Sequence, residues 1–407
     1  MSTAGFTLAA KLLNLLFGNE MRTTRANKIY LTGLASLIVL IVCACQKPYN
    51  PKPVKNTPNV LVVEGVIDPS ADSTIFKLSR TVQINAKTAL SPELGAIVNV
   101  EDDRNGVYPI LELGGGTYAY PGLRLDIARK YRLRIIASDG LVYLSDFVPV
   151  KVTPPIDSVG FTILKDSLQV YVNTHDPTDK TRYYRWSFDE TWLFHAFAAS
   201  EYISTGYSLV ERSIDQQIYF CYASSFSPTI VLGTTAKLSH DVIYQNPLTL
   251  IKGSSEKIER EYSVLVRQYA ITPEALSYWG NVKRNSDQVG GIFGVQPSEI
   301  TGNIHCTTNP ATPVIGYISA STVSTKRVFL GNSSLPRAWQ PTYPYACNID
   351  SIKHNIQETL INLPVGEFTI SYIGSFFAPK GYTATSRDCA DCTIRGTTQQ
   401  PSFWVYR

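Results

Sequence analysis

Hydrophobic positions follow three different rhythms along the chain. The first is a continuous run, Leu31 to Ala44, that carries no charge and follows Arg22, Arg25 and Lys28. At about 14 residues it is too short to cross a bilayer as a helix and has the length of a signal-peptide core. The second rhythm is alternation in short stretches from Val60 to Val150: Leu61, Val63 and Gly65, then Phe76 and Leu78, Val98 and Val100, Tyr131, Leu133 and Ile135, and Val142 and Leu144. A period of two marks half-buried strands. Asn105-Gly106 predicts a type I′ hairpin turn, because both residues tolerate positive φ. Gly114-Gly115-Gly116 and Asp139-Gly140 predict two further turns. The expectation for residues 59–152 is an antiparallel β-sandwich with no helix of useful length.

Val152-Thr153-Pro154-Pro155 is read as the boundary to a second β domain, residues 153–407, since consecutive prolines cannot pair within a sheet. Alternation resumes at Val159/Phe161 and Leu168/Val170/Val172. It is strongest from Tyr183 to Phe194, where Tyr184, Trp186, Phe188, Trp192 and Phe194 share one face and Arg185, Ser187 and Asp189 the other. A sandwich core with a buried tryptophan is the preferred reading of that face; an aromatic platform for sugar or peptide is the alternative. Residues 198–260 read as an insertion of hairpins and loops, and Glu261 to Ile271 as a strand. The third rhythm, with spacings of three and four, starts at Thr272-Pro273-Glu274: an N-cap, a first-position proline and a first-turn carboxylate. It predicts a helix over 273–284 with Leu276, Trp279 and Val282/Lys283 facing the sheet. Gly290 to Ile304 reads as a loop, followed by strands at Val314 to Ala320 and Lys326 to Leu330. The predicted fold class is all-β: two antiparallel sandwiches of the immunoglobulin or fibronectin kind, the second elaborated with hairpin insertions and one short helix.

The end of the apolar run changes the picture of where the protein works. Val42-Cys43-Ala44-Cys45 reads as a lipobox, so residues 1–44 are expected to be removed as a signal peptide and Cys45 to carry the lipid. Met21 opens a complete signal sequence of its own and is a possible start. Gln46 to Pro58, with four prolines, reads as an extended tether. Up to Ala44 there are four basic residues and one acidic; removing them from the 37 basic and 33 acidic residues of the chain leaves 33 against 32. The net charge of +4 is therefore largely the signal's, and electrostatic binding to nucleic acid loses its support. Gln46 is not the aspartate that favours inner-membrane retention. The expected location is the outer membrane, lipid-anchored, with the cell surface preferred to the periplasmic face.

Besides Cys45, the mature chain holds Cys221, Cys306, Cys347, Cys389 and Cys392. In an oxidising compartment five cysteines allow at most two internal disulfides and leave one thiol. Cys389-x-x-Cys392 lacks the strand-to-helix context of a redox pair, and a zinc site built from His305, Cys306 and that pair competes poorly with disulfides. No nucleophile elbow, His-Glu-x-x-His helix or EF-hand loop is present, and the five histidines are scattered. Asp102-Asp103 and Asp176/Asp179 fall at predicted turns, where solvated carboxylates are ordinary. No catalytic residue, metal or cofactor is expected.

Several stretches resemble an uncharacterised family of Bacteroidetes lipoproteins, the domain-of-unknown-function family 4249. They are Leu61-Val-Val-Glu-Gly65, Tyr262-Ser-Val-Leu-Val266 with Gln268-Tyr269, Tyr278-Trp279, and Gly291-Ile-Phe293 with Gln296-Pro-Ser298. Gly302-Asn-Ile304, Val314-Ile-Gly-Tyr317, Arg327, Cys389-Ala-Asp-Cys392 and Pro401-Ser-Phe-Trp404 complete the set. The resemblance implies an extracytoplasmic lipoprotein typically encoded beside a TonB-dependent outer-membrane transporter, with no established reaction. It also implies that Cys221, Cys347, Cys389 and Cys392 supply the disulfides and that Cys306 is the free thiol. A bond between Cys389 and Cys392 themselves is the least favoured pairing, because so small a loop stabilises little. The expected function is a non-enzymatic accessory or ligand-binding subunit of such a β-barrel transporter. The alternatives are a structural or assembly lipoprotein without a transport ligand and, less favoured, a surface hydrolase, which would bring paired carboxylates or a Ser/His cluster into one cleft. Binding candidates are Trp192 and Phe194 of the aromatic strand, with Tyr278, Phe293 and Gln296 of the matching stretches.

Overall fold

Strands supply nearly all the regular structure in the computed structural model, which describes residues 59–82, 90–204, 208–227, 229–287, 300–343, 345–352, 367–375 and 377–405. Cys45, the tether, Phe293 and Gln296 lie outside the described residues. The chain first lays down β1 (Leu61–Gly65), β2 (Ser73–Thr81), β3 (Leu90–Pro92), β4 (Ile97–Asp102), β5 (Val107–Gly114) and β6 (Thr117–Pro121). β7 (Lys130–Ile136), β8 (Val142–Ser145) and β9 (Val148–Lys151) follow. Their order is β8-β7-β4-β5-β6-β2-β1, with β3 on β2 and β9 on β7. The alternating residues Leu61, Val63, Phe76, Leu78, Val98, Val100, Tyr131, Leu133 and Ile135 all point into one core, as period-two burial requires.

The Asn105-Gly106 turn is built differently from the expectation. Asp103 and Arg104 form the turn, and Asn105 alone takes a left-handed φ, +68°. Gly106 is needed for a different reason: a Cβ there would sit 2.4 Å from Asp102 Oδ2. Asp102 itself is buried, not solvated. Its Oδ1 accepts the amides of Arg104 and Gly106, both at 2.8 Å. Its Oδ2 accepts Arg129 Nη1 at 2.6 Å and the Tyr108 hydroxyl at 3.2 Å. Burial alone would raise its pKa, but these donors stabilise the carboxylate more strongly and hold it at about 2. Asp176 is used in the same way, accepting the amides of Thr178 and Thr181, each at 2.8 Å. Side chains that cap turns in this manner replace missing backbone partners.

A second core forms between two sheets. β10 (Ile156–Leu164), β11 (Ser167–His175) and β17 (Val242–Lys252) make one. The other is ordered β15-β12-β18-β22, from β12 (Tyr183–His195), β15 (Phe220–Phe226), β18 (Glu261–Ala270) and β22 (Val323–Gly331), with β16 (Val231–Thr234) also paired to β12. Residues 198–260 are therefore not an insertion, since they supply β15, β16 and β17. Among the described residues of that stretch, the hairpin of β13 (Tyr202–Ser204) and β14 (Leu209–Glu211) pairs apart from these sheets. Helix α1 (Pro273–Asp287) extends three residues past its expected end, and Thr272 Oγ1 caps it by accepting the Ala275 amide at 3.2 Å. Its buried residues are Ala275 and Tyr278, in place of Leu276 and Trp279. The reason is aromatic packing: the Tyr278 ring meets Tyr317 at 5.1 Å, whereas Trp279 stays half-buried under the Arg185 guanidinium, 4.8 Å from its ring.

After α1 the chain returns to the first core, contrary to a division at 152/153. β19 (Ile304–Cys306) pairs with β8, β20 (Val314–Gly316) runs parallel to β1, and β21 (Ala320–Ser321) runs parallel to β9. These short pieces cover edges that β1 and β8 would otherwise leave unpaired. Asn303 joins them, donating to Ile318 O at 2.9 Å and accepting the Ile318 amide at 2.8 Å. The chain then crosses back into β22 and ends with β23 (Asp350–Ile352), β24 (Glu367–Ser375), β25 (Ala378–Ser386) and the short helix α2 (Arg387–Ala390). All three crossings meet at one place. Thr153 Oγ1 accepts the Ala270 amide at 2.9 Å and lies 2.9 Å from Ser321 Oγ, while the Thr153 amide donates to Thr322 Oγ1 at 2.8 Å. Beside it, fully buried Gln268 accepts Trp186 Nε1 at 2.8 Å and donates to Pro154 O and Thr174 Oγ1, both at 2.9 Å. Pro58–Arg407 accordingly forms one compact unit.

Replacing Gln268 with leucine keeps the volume but strands the Trp186 N–H and the Pro154 carbonyl. We expect Gln268→Leu to lose about 3 kcal/mol of stability in urea denaturation, from buried polar groups at 1–3 kcal/mol each; an unchanged midpoint would show that the junction does not depend on this amide. Asp102, with a folded pKa of about 2 below the unfolded value of about 3.9, contributes stability that is fully present above the latter and lost as pH falls toward the former. Asp102→Asn should therefore flatten the dependence of Tm on pH between about 4 and 2, as read by thermal melts across that window.

Candidate functional site

β12 places the expected aromatic face where its periodicity demands: Tyr184, Trp186, Phe188, Trp192 and Phe194 are all buried in the second core. The same parity also buries Glu190, which sequence reasoning missed although its even position puts a carboxylate on the aromatic face. Its Oε2 accepts Lys257 Nζ at 2.5 Å and its Oε1 the Tyr262 hydroxyl at 2.9 Å. The Lys257 ammonium also lies 5.2 Å from the Trp192 ring, and the Arg395 guanidinium 4.7 Å from that of Phe194. Trp192 and Phe194 are thus core residues, and Tyr278 is buried on α1 against Tyr317; none presents a ligand surface, because packing of the two sheets and of the helix uses the faces that the platform reading would have left open.

Where β12 ends, a cavity of about 670 Å³ opens against the segments 253–260 and 332–343. Backbone bonds join the two segments: Asn332 N to Arg260 O at 2.9 Å, and Thr342 N to Ser254 O at 2.8 Å. The Trp339 indole lies on Gly253, where a Cβ would come within 2.6 Å of the ring, so only glycine permits the approach. Phe197 meets Tyr343 edge-on at 5.8 Å. A second lobe of about 500 Å³ shares Arg260, Asn332 and Ser333 with the first and is also lined by Glu261 and Phe329.

One carboxylate sits in the wall of the first lobe. Glu259, with a side chain only 4% exposed, lies 3.1 Å from His195 Nε2. It also accepts the His195 amide at 3.1 Å and the Tyr343 hydroxyl at 3.0 Å. Burial and the Glu259 charge push the Tyr343 phenol well above its usual value. The other ring nitrogen of His195, Nδ1, lies 2.7 Å from Ala196 O. Both nitrogens face oxygen acceptors. Arg260 and Arg337 also line this lobe; both are exposed, and among the described residues neither forms a salt bridge. No sequence signal pointed to this groove beyond an isolated tryptophan in the proline-punctuated stretch Pro336 to Tyr343.

The cysteines form two disulfides, Cys221–Cys392 and Cys347–Cys389, with Cα separations of 5.7 and 5.8 Å. Cys389 and Cys392 bond to different partners, so they are no redox pair. Cys306 is free and buried in the first core. His305 pairs with Asp146 at 3.6 Å. Among the described residues, no group of three or more His, Cys, Asp or Glu is placed to hold a metal ion.

A protein-family model described as a domain of unknown function, DUF4249, matches residues 46–327. No curated protein sequence matches the chain. Among solved structures, the chain is similar to a two fibronectin type-III domain segment of chicken tenascin at 14% identity, covering 52% of this chain and 90% of that one, with a TM-score of 0.16. It is similar to trypsin-activated alpha-2-macroglobulin of Escherichia coli at 9% identity, covering 53% of this chain and 15% of that one, with a TM-score of 0.18. A third similar structure is the adhesin InvE of Yersinia pseudotuberculosis, at 11% identity, 52% and 55% coverage and a TM-score of 0.15.

Because Cys306 is buried, alkylation of the native protein without reductant is expected to label no cysteine, and alkylation after denaturation to label one. Mass spectrometry of the labelled peptides checks this. Label on Cys389 or Cys392 would show that the disulfides are not formed.

Proposed function

Since the chain belongs to the DUF4249 family, a domain of unknown function, we propose that it is a non-enzymatic outer-membrane lipoprotein, anchored through Cys45, that serves as accessory subunit to a TonB-dependent type of β-barrel transporter. In this reading its two cores are two sandwiches of the immunoglobulin or fibronectin kind. One observation carries the preference for binding over hydrolysis. In the groove where a histidine, a carboxylate and serines come together, both nitrogens of His195 already face acceptors, Glu259 and Ala196 O. Neither nitrogen is left to take a proton from water or a serine, which a general base must do.

The barrel-facing surface is the outer face of the first sheet. Ile75 and Leu111 flank Ala119 in one row across β2, β6 and β5, and Ile75, Ile97, Leu111 and Leu113 are each more than half exposed. Adjacent exposed aliphatic residues of this kind mark an interaction surface. An extended tether of about 13 residues, as the four prolines of Gln46 to Pro58 lead one to expect, would span roughly 40 Å at 3.1 Å per residue and raise the local concentration of the protein at a nearby barrel. Crosslinking in intact cells followed by mild detergent extraction should recover a large β-barrel in near-equal amount. Leu111→Asp with Leu113→Asp should lower that yield severalfold at unchanged Tm. Recovery of the wild-type protein alone would falsify the transporter reading.

A further inference from the structure

The groove at the end of β12 has a chemistry that selects its occupant. Its carboxylate, Glu259, is consumed: it accepts the His195 amide at 3.1 Å and the Tyr343 hydroxyl at 3.0 Å, and His195 Nε2 lies against it at 3.1 Å. The charge left for a ligand is positive. Arg260 and Arg337 line the first lobe, both exposed, and form no salt bridge among the described residues; the nearest aromatic partner of Arg260 is Phe220, 5.5 Å away. The second lobe carries Glu261, so an anionic group belongs in the first. Around the arginines stand hydroxyl and amide side chains, Ser255, Ser333, Asn332 and Gln340, beside the indole of Trp339. Arginine forks match planar anions such as carboxylate and sulfate. Amides and hydroxyls that both donate and accept suit a polyol. An indole lining the cavity suits the flat C–H face of a sugar ring, being a large apolar surface with a polar edge.

We propose that this groove binds an acidic oligosaccharide, with its carboxylate or sulfate held between Arg260 and Arg337 and a sugar ring packed on Trp339. The first lobe alone offers about 670 Å³, room for more than one ring, since pockets of 300–1,000 Å³ hold drug-sized ligands; the second, about 500 Å³, shares Arg260, Asn332 and Ser333 in its lining. The proposal rests on the reading of the protein as a binding subunit. It adds the class of ligand.

The test uses the full mature lipoprotein in detergent and isothermal titration with four probes. They are a galacturonate hexasaccharide, its methyl-esterified neutral counterpart, a sulfated galactose hexasaccharide and a glutamate hexapeptide. Binding of either acidic sugar, weakened at least tenfold by rising salt and, for the galacturonate, by esterification, is the expected result; the first sugar against the third tells carboxylate from sulfate. Arg260→Gln and Arg337→Gln should each weaken it about tenfold or more, as loss of a charge-assisted hydrogen bond does. Both residues are exposed, so Tm should stay unchanged. Trp339→Phe should weaken binding less than loss of either arginine and serves where Trp339→Ala fails to fold. Equal binding of the neutral sugar, tighter binding of the peptide, or no binding of either acidic sugar overturns the proposal. None of these outcomes touches recovery of the barrel, so the accessory-subunit reading stands or falls separately. Cleavage products of the hexasaccharide in mass spectra would instead overturn the non-enzymatic reading and this proposal together.

Discussion

The structure depends on one hydrogen-bonded junction. Three passes of the chain between two hydrophobic cores converge on Thr153, Gln268 and Ser321. Polar groups buried there are paired: a threonine hydroxyl takes the amide at the end of β18, and a glutamine amide spans the proline pair, β11 and the core tryptophan. Groups so buried are costly when unpaired, so each segment holds the other two in place. The cores cannot turn about a single linker, because three strands of backbone would have to turn together. The groove and the apolar sheet face therefore belong to one compact unit.

Much of this was legible in the sequence where one physical signal acted alone. Alternation placed β1, β2, β4, β7 and β12, and the Thr-Pro-Glu start placed α1. The signals failed where distant segments meet. β19, β20 and β21 are two or three residues long, too short to show periodicity, and their assignment depends on the edges that β1, β8 and β9 leave open. Residues 198–260 looked like an insertion because their polar strands are only half-buried; pairing with β11 and β12, not internal pattern, makes them part of the sheets. Asp102 looked like an ordinary turn carboxylate because its partner Arg129 lies 27 residues away. The groove was invisible for the same reason, being assembled from residues 195–197, 253–260 and 332–343.

The disulfides fix the end of the chain rather than its middle. Cys389 and Cys392, three residues apart, reach to Cys347 and to Cys221 in β15, and Thr397 exchanges backbone hydrogen bonds with Tyr222. Trp404 then packs on Tyr222 and Phe329. The final segment thus ties the outer strand β15 to β22 across the sheet. Long loops such as the 171-residue span to Cys221 restrict the unfolded chain most, by about 5 kcal/mol in the loop-closure model.

The late return of β19 to β21 to the first core also decides the timing of folding. Its seam, closed by Asn303 and Ile318, can form only once residues up to 321 have been made. Contacts between residues so far apart in sequence form slowly. A chain built this way completes its first core with residues drawn from both ends of a long span, so the strands laid down first are the last to have all their neighbours.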